Sequence, residues 1–375
     1  MPSTISRAES RTLPARSLRR AAVSLQIATI ALVAAGGALA DDGTRTVSGL
    51  DGKEVTIKDP VERIVTIPMP SASMFISVDG KADRLVGMHE RSKEALLEGV
   101  LGDYFPDAKA IASDITKEGF VPNIENIMRL YPDVVVQWET MPKTFESMEG
   151  AGLNVAAFVR YNNEELAYRN LRLVASILGQ EEKQEELIEW RKGMEAAVRK
   201  KAAPIPDEEK KSVAWILYHK KGLQVAGGNS YVDFIFETGG GVLAGDDIDG
   251  WPKIDMEQLL AWDPDIIVIG NFDPLVPADI YNDPMFSALK AVKNKRVYKM
   301  PLGGYRWGPA NQESPLAWMW AYNILNPDRD PFDLRQEIKD QYAFIYGSAP
   351  TEDQIDTVLH LDLNKDSADY DQFVR

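Results

Sequence analysis

Two distant stretches of this chain follow one pattern. Residues Pro122–Glu139 read PNIENIMRLYPDVVVQWE, and Ile254–Asn271 read IDMEQLLAWDPDIIVIGN. Each has an acidic residue, a helix-patterned apolar segment, a Pro-Asp pair and a β-branched run. Glu125 and Glu257 stand at the same offset ahead of Pro132 and Pro264. Proline cannot continue a helix, and an unbroken Val/Ile run is the pattern of a strand covered on both faces. Such strands belong to parallel sheets flanked by helices, so a chain that repeats the unit is expected to build two α/β lobes.

The surrounding sequence repeats this plan. RIVTIP (Arg63–Pro68), RLVGM (Arg84–Met88) and VAAFV (Val155–Val159) read as further strands of a first lobe, after a hairpin at residues 44–58. SVAWILY (Ser212–Tyr218) and RVYKM (Arg296–Met300) read as strands of a second, and SPLAWMWAYNIL (Ser314–Leu325) as an apolar helix. From Glu164 to about Ala202 apolar residues recur at helical spacing among many charges, giving one long helix or two that join at Gly179. The expected organisation is a signal peptide at 1–40, an N-terminal α/β lobe at 41–162, a linking helix at 163–204, a C-terminal α/β lobe with terminal helices at 205–363, and a frayed acidic tail at 364–375.

The N-terminus predicts export. Arg7, Arg11, Arg16, Arg19 and Arg20 precede an apolar run that ends Ala38-Leu39-Ala40 before polar sequence. That is the order of a cleaved signal peptide, with cleavage after about Ala40 and a periplasmic destination. A membrane anchor is the weaker alternative, because the run is Ala-rich and broken by Gly36-Gly37.

Composition removes several kinds of chemistry. The chain has no cysteine, which excludes disulfides, thiolate metal sites, iron–sulfur clusters and cysteine nucleophiles. Its three histidines, His89, His219 and His360, lack the short spacing of a zinc site. A net charge of -15 argues against binding nucleic acid. No G-x-S-x-G elbow and no lysine-terminated phosphate loop occurs, so an exported hydrolase or nucleotide enzyme is disfavoured. A bare scaffold module is the remaining rival.

In order and spacing, RIVTIPMPSASMFISVDGKADRLVGM, PNIENIMRLYPDVVV, KIDMEQLLAWDPDIIVIG and QESPLAWMWAYNIL resemble the periplasmic binding proteins of ABC importers for siderophores, haem and cobalamin. The resemblance implies two Rossmann-like lobes with mainly parallel sheets, joined by a long α-helix, and a ligand cleft between them. It implies a non-catalytic, monomeric protein with no intrinsic cofactor. Its partners would be a small-molecule metal chelate and the transmembrane subunits of an ABC permease. Glu125 and Glu257 match the family's permease-docking carboxylates; two separated anions can address two cationic pockets and fix orientation. Exposed first-turn glutamates favoured by the helix dipole are the simpler alternative.

Ligands of open α/β sheets lie beyond the carboxyl ends of the strands. Applied here, that rule selects Met69; Met88, His89 and Arg91; Trp138; Arg160 and Tyr161; Tyr218 and His219; Asn271 and Phe272; and, in an irregular Gly-led loop, Tyr305, Arg306 and Trp307. Aromatic rings offer contact area and arginines offer charge-assisted hydrogen bonds, a combination suited to a flat anionic chelate. Arg91, Arg160 and Arg306 make a ferric siderophore the favoured ligand. Haem, cobalamin, another metal complex or an oxyanion such as molybdate remain alternatives. His89 and His219 can ligate metal or hydrogen-bond a carboxylate, and Tyr161, Tyr218 and Tyr305 can bind iron. The identity of the metal stays open, and His360 is set aside as part of a terminal helix.

Overall fold

The structure is a computed structural model that describes residues 43–219 and 222–375; the expected signal peptide lies outside the described residues. The chain opens with an antiparallel hairpin of β1 (Thr44–Ser48) and β2 (Glu54–Lys58). A four-stranded sheet follows, built from β3 (Ile64–Thr66), β4 (Leu85–Met88), β5 (Val134–Trp138) and β6 (Val155–Phe158), in the order β4-β3-β5-β6. All of its pairings are parallel. The second sheet holds β7 (Ser212–Tyr218), β8 (Leu223–Val225), β9 (Val242–Leu243), β10 (Lys253–Ile254), β11 (Ile266–Ile269) and β12 (Val297–Lys299). Its path is β10-β8-β7-β11-β12, with β9 beside β7. The β7-β11-β12 centre is parallel, and β8 and β10 add an antiparallel edge.

The repeated unit occupies the same place in both lobes. Helix Ile124–Arg129 leads into β5, and helix Met256–Trp262 leads into β11; every residue of both strands is buried. Each strand lies between two parallel neighbours, which is why its sequence is apolar without alternation. The likeness reaches the backbone, since Tyr131 (φ 44°) and Asp263 (φ 42°) are both left-handed just before the repeated proline.

Two helices join the lobes, Glu164–Leu178 and Glu181–Ala202. They are separated rather than continuous because Gly179 adopts φ 68° and caps the first. Helix Ser314–Leu325 is buried at all of its positions and packs against Glu181–Ala202, Tyr231–Thr238 and Leu334–Tyr346. An all-round apolar helix must be covered on every side.

The C-terminus differs from the expected frayed tail. Tyr370 and Phe373 are buried, and Tyr370 stacks on Tyr298 of β12 at 5.7 Å between ring centroids. Trp320 Nε1 donates to the Tyr370 hydroxyl at 3.2 Å. Burial of two aromatic rings outweighs the acidity of the segment. Among the described residues no helix is long and apolar enough to cross a membrane.

Candidate functional site

Between the lobes lies a cavity of about 310 Å³. The first lobe supplies Met69 and Pro70 after β3, Phe120, Trp138 at the end of β5, and Arg160 and Tyr161 after β6. The second supplies Leu217 and Tyr218 at the end of β7, Asn229, Ser230 and Tyr231, then Trp251, Phe272 after β11, and Tyr305 and Pro309 after β12. Phe120, Trp138, Tyr161 and Tyr231 form an edge-to-face chain from one lobe to the other, with centroid steps of 6.3, 5.9 and 6.1 Å. This is the favoured arrangement of aromatic quadrupoles. Trp251 is 43% exposed and leans on Trp215 at 5.5 Å.

Arg160 is the one cation lining this cavity among the described residues. Its guanidinium lies 5.8 Å from the Trp138 ring, and its Nε donates to Thr140 Oγ1 at 3.0 Å. Its remaining donors are available to a ligand, because a guanidinium carries five N–H groups.

Two buried carboxylates hold the walls in place. Glu164 accepts from Arg191 Nη2 at 2.7 Å and from the Tyr231 hydroxyl, while Arg191 Nη1 donates to the Asn311 carbonyl at 2.6 Å. Burial, and then the Glu164 charge, push the Tyr231 phenol well above its usual range, so it remains a donor. Glu313 accepts from Gly304 N at 2.8 Å, Trp307 Nε1 at 2.8 Å, Tyr342 OH at 3.0 Å and Tyr346 OH. Burial raises its pKa in spite of these bonds. The Gly303-Gly304 pair is required by this approach: a Cβ on Gly303 would lie 2.0 Å from Glu313 Oε2, and one on Gly304 2.5 Å from Oε1.

The selected residues therefore divide. Met69, Trp138, Arg160, Tyr161, Tyr218 and Tyr305 line the cavity. Met88 does not; it is fully buried in the core of the first lobe. Trp307 is 0% exposed, because its indole N–H is spent on Glu313. His89 caps helix Glu90–Glu98: Nδ1 accepts from Arg91 N at 3.0 Å, and Nε2 meets the Gly119 carbonyl at 3.1 Å. Both nitrogens are used and burial lowers its pKa, so it is a neutral structural residue. His219 faces a separate recess beside Asp279, with Nδ1 held at 2.7 Å by Asp273 Oδ1.

Arg91, Asn271 and Arg306 line a neighbouring cavity of about 400 Å³ with Lys299 and His360. Arg306 is 2% exposed and donates to the carbonyls of Asn271 at 3.0 Å and of Arg91 at 2.6 Å, linking the lobes. Arg91 pairs with Glu94 at 2.9 Å. His360, set aside from sequence, receives the Asn271 amide at 3.2 Å. Among the described residues no group of three or more His, Asp or Glu is arranged to hold a metal ion.

The strand-end rule missed Phe120, Asn229, Ser230, Tyr231 and Trp251. Tyr231 enters on a helix N-terminus, and the other four come from loops that run back to the cleft. One sequence signal was present for Trp251, an apolar ring between the turn formers Gly250 and Pro252.

A family profile described as periplasmic binding protein matches residues 117–302. The crystal structure of a periplasmic solute binding protein from Veillonella parvula DSM 2008 is 33% identical, with a TM-score of 0.77 over 86% of this chain and 98% of that one. The molybdate-binding protein MolA of Haemophilus influenzae is 24% identical over 86% of this chain and 96% of its own. The iron(3+)-hydroxamate-binding protein FhuD of Bacillus subtilis is 25% identical over 57% of this chain and 70% of its own. With its two α/β lobes and linking helices, this chain belongs to the periplasmic binding proteins, the non-enzymatic ligand-capturing components of ABC importers.

Proposed function

We propose that this protein captures a metal chelate, with a ferric siderophore as the leading candidate, in the inter-lobe cavity and delivers it to an ABC permease. The observation that carries this reading is the lining: tryptophan, tyrosine and phenylalanine rings with a single arginine among the described residues. Such walls offer apolar area and one charge-assisted anchor, which suits an organic shell around a metal. A bare oxyanion such as molybdate calls for hydrogen-bond donors on all sides instead. Of the three arginines expected from sequence, Arg160 alone lines this cavity; Arg91 and Arg306 line the neighbouring one, and Arg306 is held by two backbone carbonyls. One arginine favours a chelate of low net charge, such as a neutral tris-hydroxamate.

Glu125 and Glu257 are both exposed on their short helices and are the docking carboxylates in this reading. Export through cleavage after about Ala40 completes it; sequencing the N-terminus of the exported protein tests that step. The binding test uses tryptophan fluorescence, because Trp138 and Trp251 line the cavity. A ferric tris-hydroxamate is expected to quench the wild type saturably and Trp138→Ala far less. Tight binding of molybdate without response to any ferric chelate would overturn the proposal.

A further inference from the structure

We infer that Phe272 is a partition within the inter-lobe space and determines how large a chelate the protein accepts. This rests on the chelate reading above. The aromatic cavity of about 310 Å³ and the neighbouring one of about 400 Å³ share a single lining residue, Phe272. Their walls differ in chemistry. The second mixes Arg91, Glu94, Glu98 and His360 with apolar Val276 and Leu302, so it is more polar than the aromatic chamber and suits an arm of a ligand rather than its apolar body.

The backbone around Phe272 is pinned by hydrogen bonds, whereas its ring is held by packing and by the Arg306 guanidinium. The Asn271 carbonyl accepts from Arg306 Nε at 3.0 Å, and the Asp273 carbonyl accepts from Lys299 Nζ at 2.6 Å. The Asp273 carboxylate accepts from His219 N at 2.8 Å and Leu275 N at 2.9 Å. The ring itself is half-buried and rests under the Arg306 guanidinium at 4.8 Å. A side chain turning about χ1 on a fixed backbone is a far smaller rearrangement than a loop movement. Phe272 therefore limits the first chamber without perturbing its frame, and its removal joins the two.

The test holds ligand charge fixed and varies size. Tris(acetohydroxamato)iron(III) is compact and neutral; a ferric tris-hydroxamate on a cyclic hexapeptide is neutral and larger. Both are titrated by tryptophan quenching against wild type, Phe272→Ala and the milder Phe272→Leu, with thermal unfolding confirming that each variant folds. Phe272→Ala is expected to raise the affinity for the larger chelate relative to the compact one at least tenfold, with Phe272→Leu shifting it less in the same direction. An unchanged ratio, with both affinities falling together, would reduce Phe272 to a contact surface and overturn the inference while leaving the chelate reading intact. If neither chelate quenches any form, the chelate reading falls instead. A crystal structure of Phe272→Ala then decides the partition: one continuous cavity supports it, and collapse of Tyr305 or Arg306 into the vacated space contradicts it.

Discussion

Glu313 is buried in the second lobe and touches no part of the cavity, yet the wall depends on it. One carboxylate oxygen, Oε1, accepts from Gly304 N and Tyr346 OH; the other, Oε2, accepts from Trp307 Nε1 and Tyr342 OH. In Glu313→Gln one oxygen becomes an amide NH₂. The tyrosine hydroxyl on that side can rotate and accept, but its N–H companion cannot. Whichever way the amide turns, one buried N–H, that of Gly304 or Trp307, loses its acceptor, which costs about 1–3 kcal/mol. Glu313→Leu strands all four donors, and roughly 4 kcal/mol is expected. Thermal unfolding would then drop by about 4 °C for Gln and about 8 °C for Leu, at ~2 °C per kcal/mol for a chain of this size. Because Tyr305 lies between the glycine pair and Trp307, chelate affinity should fall about tenfold in the Leu variant. Burial raises the folded-state pKa of Glu313 above 4.5, so the folded state holds this proton more tightly than the unfolded state. Ionisation of Glu313 therefore costs the folded state stability as pH rises past 4.5, a slope that Gln lacks. An unchanged melting temperature together with unchanged affinity in Glu313→Leu would refute the assignment of Glu313 as the anchor of this loop.

Three further outcomes are expected. A Cβ on Gly99 would lie 1.8 Å from the Gly303 carbonyl oxygen across the lobes, so Gly99→Ala should lower stability by about 2–3 kcal/mol and weaken ligand binding, read by urea unfolding and quenching. Burial lowers the His360 pKa from 6.5 to about 4, so folding stability should be lost as pH falls from 6.5 toward 4. His360→Asn, which tolerates the left-handed backbone at φ 51°, should remove on the order of 3 kcal/mol of that decline, measured by urea unfolding at both ends of the range. Glu125→Ala with Glu257→Ala should spare chelate affinity and abolish radioiron uptake; full uptake by the double variant would rule out the docking role.

The repeated unit was legible because its cues are local. Val134–Val136 and Ile266–Ile269 are β-branched runs bounded by Pro-Asp, and nothing tertiary is needed to read them as buried strands. The helix break at Gly179 was legible as a position, while only the φ of that residue settles it. Side-chain direction in loops was not legible. Tyr305, Arg306 and Trp307 are consecutive, yet one faces the cavity, one the neighbouring chamber and one Glu313. Their directions follow from a carboxylate supplied by a different segment. The closing residues depart from the expected frayed tail for a related reason: Asp366, Asp369 and Asp371 give the segment an acidic look, while Tyr370 and Phe373 decide its fate by docking onto β12 and its neighbours.

Native mass spectrometry of the protein exported and purified without denaturant tests the central claim most directly. One organic metal complex per chain is expected, released when Trp138 and Arg160 are both changed to Ala. A bound bare oxyanion, or a complex retained undiminished by that double variant, would contradict it.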